Sequence, residues 1–194
     1  MHVVCVNQGP KYDPQYVNIL EAQVKRNLSL NHEFVCITDR PKNYRCKTIP
    51  VLRGLKGWWP KLQIFKPGLF TDRVLFLDLD VCITGSLDEI ASYAPPFSII
   101  NDWHLPTYNS SVMVLDPDYA PEVWEEFRTY KGTPYGDQHW ITQMIPDASV
   151  FPEGWCVSYR THAQDAPKGK VVVFHGEPKP HEFPSTWVKD YWRE

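Results

Sequence analysis

This sequence is narrowed first by what it lacks. It contains no apolar run long enough to span a bilayer, and "MHVVCVNQGP" at its start lacks the long apolar core of a secretory leader. It has no large surplus of one charge: the formal net charge is −3 over 194 residues, which provides no general attraction to nucleic acid or anionic membranes. It has no C-x-x-C pair. Its five cysteines, Cys5, Cys36, Cys46, Cys82 and Cys156, are odd in number and widely spaced. Several sit in strand-like runs, where a reduced thiol packs as a small hydrophobe, so a reducing, cytoplasmic location is expected. Internal repeats and low-complexity tracts are also missing. No nucleic-acid partner and no transmembrane segment are expected.

What remains is ordinary globular material. Apolar residues make up 43% and charged residues 22%, and the length suits one domain, so 1–194 reads as a single unit. Eighteen prolines and eight tryptophans are heavy for this length and gather in "GWWPK", "YAPPF" and "HGEPKPHEFPSTW". Aromatics interleaved with proline indicate ordered, irregular loops rather than linkers.

The apolar pattern alternates between strands and helices. Strands are expected at 2–7, 33–39, 47–52, 73–80, 97–102, 110–116 and 170–176, with Pro50 placing the third at an edge. Helices are expected at 14–28, where Val17, Leu20, Val24 and Leu28 repeat at helical spacing, at 59–70, and over "SLDEIAS", "APEVWEEFRTY" and "DQHWITQMI". This order predicts an α/β domain with a mainly parallel central sheet flanked by helices. Ligands of such sheets sit beyond the C-terminal ends of the strands. The polar residues there are Asn7, Asp39, Asp78, Asp80, Asp102 and His175.

"RVLFLDLDV" interrupts its most apolar strand with two carboxylates, and buried carboxylates need a partner. On a regular strand Asp78 and Asp80 share a face. There they repel unless a cation lies between them or one is protonated. A hard divalent ion, Mg²⁺ or Mn²⁺, suits oxygen ligands and substrate phosphates, and His175 as a third ligand tilts the choice toward Mn²⁺. The plain alternative is that one aspartate caps a turn and the other simply leaves the strand. A strand followed by D-x-D also resembles the nucleophile motif of haloacid-dehalogenase phosphatases. That motif normally opens its domain, whereas strands already precede it here.

Four collinear segments together resemble the GT-A glycosyltransferases of family eight, the glycogenin and lipooligosaccharide galactosyltransferase type. They are "PKLQIFKPGLFTDRVLFLDLDVCITGSLDEI", "YNSSVMVLDP", "GDQHWITQ" and "FHGEPKP". The sequence departs from the family pattern at Ser111, usually glycine, and in the last segment, where Gly176 directly follows His175 and Lys179 comes two positions early.

The resemblance implies a single-domain GT-A fold and a metal-dependent transfer of hexose from a nucleotide sugar, a UDP-hexose, with retention. Asp78, Asp80 and His175 would hold Mn²⁺ or Mg²⁺, with Asp78 also near the ribose. Lys61 would approach the donor sugar and phosphate, and Lys179 the leaving diphosphate. Asn7, Tyr12 and Asp39 would receive the nucleotide, Tyr12 by stacking on the base. Asp102, Asn109 and Ser110 would read sugar hydroxyls. Gln138 would lie near the anomeric carbon beside Asp137. Asp137 equally suits a helix cap, and a free carboxylate there is also the base that inversion needs. Trp58 and Trp59 are read first as packing at a helix start, and second as closing over donor or acceptor. The acceptor, whether carbohydrate, protein or lipid, is open. Two other functions also stand: a phosphatase, and a non-catalytic sugar-nucleotide-binding module.

Overall fold

The computed structural model describes residues 1–130, 135–182 and 186–194. Its ten described strands are β1 (His2–Asn7), β2 (Glu33–Thr38), β3 (Lys47–Pro50), β4 (Val74–Leu77), β5 (Val81–Ile83), β6 (Phe97–Asn101), β7 (Tyr108–Leu115), β8 (Ser149–Val150), β9 (Cys156–Ser158) and β10 (Val171–Val173). The helices are α1 (Gln15–Asn27), α2 (Asp88–Ala91), α3 (Glu122–Thr129), α4 (Asp137–Met144), α5 (Tyr159–His162) and α6 (Thr186–Tyr191).

The described strands form a seven-stranded sheet in the order β3-β2-β1-β4-β7-β6-β8. All of its pairings are parallel except the two made by β7, which runs against both β4 and β6. The strand carrying Pro50 lies at the edge, as expected. A three-stranded sheet, β5-β10-β9, stands beside it.

Alternation explains why the large sheet is covered on both faces. Val3 and Cys5 pack into one apolar cluster with Leu75 and Leu77, while Val4 packs into another with Val74 and Phe76. The period of two sends neighbours to opposite sides. α1 buries Val17, Leu20 and Val24 against the first face. Gln23 on the same helix accepts the Ile83 N–H at 2.8 Å, which ties α1 to the small sheet. A third cluster joins Cys82, Val172 and Phe174 to Trp187 and Val188 of α6.

Two expected elements differ. The helix expected at 59–70 is a 3₁₀ helix over Trp59–Phe65, with Lys61 N–H bonded to Trp58 O and Lys66 N–H to Gln63 O. Pro67 holds Lys66 extended and so ends the helix at Phe65. The strand expected through Asp80 stops at Leu77. Asp78 still donates its N–H to Ser111 O at 2.9 Å, but Asp78–Leu79–Asp80 form a turn that delivers the chain into β5. The two aspartates therefore share no strand face; a sheet-to-sheet crossing brings them together.

Among the described residues no helix is long and apolar enough to cross a membrane. All five cysteines are free, and all but Cys46 are buried.

Candidate active site

The crossing turn sits at the C-terminal end of β4, the position the strand-end rule selects. Around it lie two adjoining cavities of about 340 and 500 Å³, both lined by Asp78, Asp80, Asp137 and Gln138.

Lys61 reaches the turn from the 3₁₀ helix. Its Nζ lies 2.9 Å from Asp78 Oδ1, 3.1 Å from Asp137 Oδ2 and 2.9 Å from Ser110 Oγ. Ser110 donates in turn to Asp137 Oδ2 at 2.6 Å. Burial works against the Lys61 ammonium, but Asp137 and Asp78 outweigh it and hold its pKa above the ordinary value. Burial raises the Asp78 pKa; Lys61 opposes this, and the charges of Asp80 and Asp137 add to it. Asp137 is the first residue of α4, where the helix dipole favours a carboxylate, but it makes no cap hydrogen bond; its side chain is turned to Lys61.

Asp80 has its own cation. Lys179 Nζ is 2.6 Å from Asp80 Oδ2 and 3.2 Å from Phe174 O, and the Tyr12 hydroxyl donates to the same carboxylate oxygen at 2.8 Å. Neither Lys61 nor Lys179 is a solvated surface lysine; they are 6% and 7% exposed. The loop that brings Lys179 inward turns at Gly176, whose φ of 74° disfavours a side chain. Arg160 packs against that glycine and donates its Nε–H to Glu177 O at 2.9 Å.

His175 lines the larger cavity with Asp78 and Asp80. Its Nε2 is 2.7 Å from Ser158 Oγ, and its ring stacks on Trp103 at 5.6 Å between centroids. Burial, then His104 and Arg160, hold its pKa below the ordinary value, so the neutral ring predominates at pH 7.

The remaining expected site residues line neither of these two cavities. Asn7 donates to Tyr12 O at 3.4 Å and accepts from Arg40; Asp39 accepts the Gly9 N–H. Asp102 accepts the N–H groups of His104 and Leu105, and Asn109 Nδ2 is 3.4 Å from Asp102. These four shape the loops that face the cavities. The sequence reading missed Ser158, Trp103 and Lys11, the last of which lines both cavities. Only Trp103 carried a signal, its adjacency to a strand-end aspartate.

Do these groups suit a divalent ion? Three carboxylates, Asp78, Asp80 and Asp137, face the ammonium groups of Lys61 and Lys179, and Lys11 lines both cavities as well, so charge balance alone calls for no further cation. Two carboxylates and a neutral imidazole on one cavity are suitable ligands. Their spacing does not close around an ion: among the described residues no three His, Cys, Asp or Glu side chains are grouped to hold one, and Lys179 occupies Asp80. The donor types suit a metal, but their positions, with Lys179 on Asp80, do not enclose one.

No family model and no curated protein matches the sequence. Solved structures match in shape. The galactosyltransferase LgtC, solved with donor and acceptor sugar analogues, has a TM-score of 0.70 at 14% identity, covering 98% of this chain and 93% of that one. The glycosyltransferase GlyE of Streptococcus pneumoniae TIGR4 has a TM-score of 0.70 at 12% identity, covering 98% of this chain and 60% of that one. The bifunctional glycosyltransferase WbbM scores 0.65 at 15% identity, covering 92% of this chain and 46% of that one. At these identities the likeness establishes architecture, not reaction. The chain has a GT-A-like glycosyltransferase fold resembling family eight.

Proposed function

We propose that this protein is a retaining glycosyltransferase that moves a hexose from a UDP-sugar to an acceptor hydroxyl with the help of Mn²⁺ or Mg²⁺. The observation that carries the reading is the pair of buried ammonium groups, Lys61 and Lys179, held by Asp78, Asp137 and Asp80 where two cavities meet on this fold. A diphosphate leaving group gains charge as its bond to the anomeric carbon breaks, and fixed cations there stabilise it. Lys179, once off Asp80, would meet that charge.

Asp78, Asp80 and His175 would hold the metal, whose chemistry when bound is charge neutralisation at the departing phosphates. Lys61 keeps Asp137 and Asp78 fixed. Asp137 Oδ2 accepts from Ser110 and Lys61, which leaves Oδ1 for a base, so the preference for retention rests on the resemblance to family eight. Gln138 beside it is an amide and a poor base. In the retaining reaction the C1–O bond to the phosphate breaks while the acceptor oxygen bonds C1 on the same face, its proton passing to the departing phosphate oxygen.

Thermal shift tests the donor. At 100 times Kd, a UDP-sugar with Mn²⁺ is expected to add about 2.7 kcal/mol, raising Tm by roughly 5–11 °C for a chain of this size. UDP should then be released catalytically. A shift without release supports the binding module. Cleavage of p-nitrophenyl phosphate with no shift supports the phosphatase. Ser158→Ala is expected to weaken metal affinity about 10–100-fold, because the ring of His175 loses its orienting partner. A Mn²⁺ titration of the UDP-dependent shift reads this, and an unmoved midpoint would remove His175 from the ligand set.

A further inference from the structure

We propose that Arg160 is a positioning residue for the transfer step. Its guanidinium fixes the backbone of the loop from His175 to Lys179, so that Lys179 can move from Asp80 to the diphosphate as a side chain, without the loop moving with it. This rests on the glycosyl-transfer reading above.

Three consecutive residues make the seat of that loop. β9 runs beside β10 in parallel, with Ser158 opposite Val173, so the chain leaves both strands at the same level. The ring of Tyr159 stacks on that of Phe174, 4.3 Å between centroids and 13° from parallel. Ser158 Oγ lies 2.7 Å from His175 Nε2. Arg160 donates its Nε–H, at 2.9 Å, and an Nη2–H to the carbonyl of Glu177. Residues 158, 159 and 160 thus hold residues 175, 174 and 177. Beyond them, Lys179 is tied by its ammonium to Asp80 and Phe174 O, and by its N–H to the Glu182 carboxylate.

The three contacts differ in what they secure. Tyr159 and Phe174 are 2% and 1% exposed and share an apolar cluster with Trp187, so their stack belongs to the folding core. Arg160 is exposed and adds nothing to that core. Its bond to a carbonyl is charge-assisted, and the guanidinium fork brings two N–H groups to one oxygen. Gln164 Nε2 in turn donates to Arg160 O at 2.7 Å, which steadies the backbone that carries the fork.

Glu177 stands midway between the two working side chains. Without its anchor the loop would be held only near His175 and Lys179, with Gly176, which has the greatest backbone freedom of any residue type, between them. An ammonium that stabilises a leaving group acts through where it stands, and a misplacement of about 1 Å costs about 10²-fold in rate. Arg160 reaches no reacting atom; it acts through Lys179.

UDP release from UDP-glucose, UDP-galactose and UDP-N-acetylglucosamine with Mn²⁺, water serving as acceptor, reads turnover, and the UDP-dependent thermal shift reads nucleotide binding. Arg160→Ala is expected to lower kcat about 10–100-fold with UDP affinity changed less than about 3-fold. Guanidinium chloride at about 10 mM, far below the molar range that unfolds proteins, should raise the variant's kcat at least about 5-fold and leave wild type unchanged. Urea or NaCl at the same concentration should not. Arg160→Lys, which keeps the charge and loses the fork, should fall between, and it carries the same assay if the alanine variant does not fold. An arginine that only stabilised the fold would lower Tm, leave kcat per folded molecule intact and gain nothing from a denaturant. A kcat within about 3-fold of wild type, or a loss that guanidinium does not recover, overturns the proposal while wild-type turnover leaves glycosyl transfer standing. No UDP release by wild type from any donor overturns the underlying reading, and this proposal with it.

Discussion

Lys61→Ala is expected to lower folding stability by about 3–5 kcal/mol, as breaking one side of a buried ion pair does. Its ammonium is the shared partner of Asp78 and Asp137, and Asp137 is almost wholly buried. Removing it strands two carboxylates near each other, which is worse than losing the attraction alone. Total stabilities are about 5–15 kcal/mol, so the variant should have a visibly early urea midpoint. Neutralising all three groups, as Lys61→Met with Asp78→Asn and Asp137→Asn, should recover much of the loss, because no unpaired charge is left inside. That variant should remain inactive. A loss below about 1 kcal/mol for Lys61→Ala would place the ammonium in solvent, where ion pairs contribute little.

Asp80→Ala is expected to lower UDP release about 10²–10³-fold, the range for deleting one preorganised electrostatic group. The same substitution removes the proposed metal's carboxylate and the anchor of Lys179 and Tyr12. It should also cost stability, since Lys179 loses its counter-ion. Asp80→Ala combined with Lys179→Met separates the two effects: stability returns and turnover does not. Urea denaturation and UDP release read the two quantities. If the double variant regains turnover, Asp80 serves only to keep Lys179 paired.

The sequence made the architecture legible where a pattern repeats. Val3, Val4 and Cys5 alternate between two clusters, and Val17, Leu20 and Val24 share one helix face, so β1 and α1 were readable from spacing. The position of Asp78 at a strand end followed from an apolar run meeting a carboxylate. Short elements carry too few residues to show a period: β5 and β9 have three each and were missed. A helix over Trp59–Phe65 was legible but its 3₁₀ winding was not, because its apolar residues fit either winding.

Pairings across the fold left no local trace. Lys179 and Asp80 are 99 residues apart, and Tyr12 and Asp80 are 68 apart. Nothing near Lys179 distinguishes a buried ammonium from a solvated one; Gly176 and Arg160, which bend its loop inward, act only in three dimensions. Tyr12 was expected to stack on the base, and its role as a donor to Asp80 left no mark in the sequence. Ser158 escaped notice because its strand did.

The crossing from β4 to β5 gives the two aspartates separate mountings. Asp78 is gripped by Lys61 and, through its N–H, by Ser111 on the large sheet; Asp80 is gripped by Lys179 and, through its carbonyl, by the N–H of Phe174, next to the small sheet. They stand like the two jaws of a caliper, and the opening between them is set by how the sheets seat against each other, so a packing change far from either carboxylate, at Gln23 or Trp187, would alter the gauge.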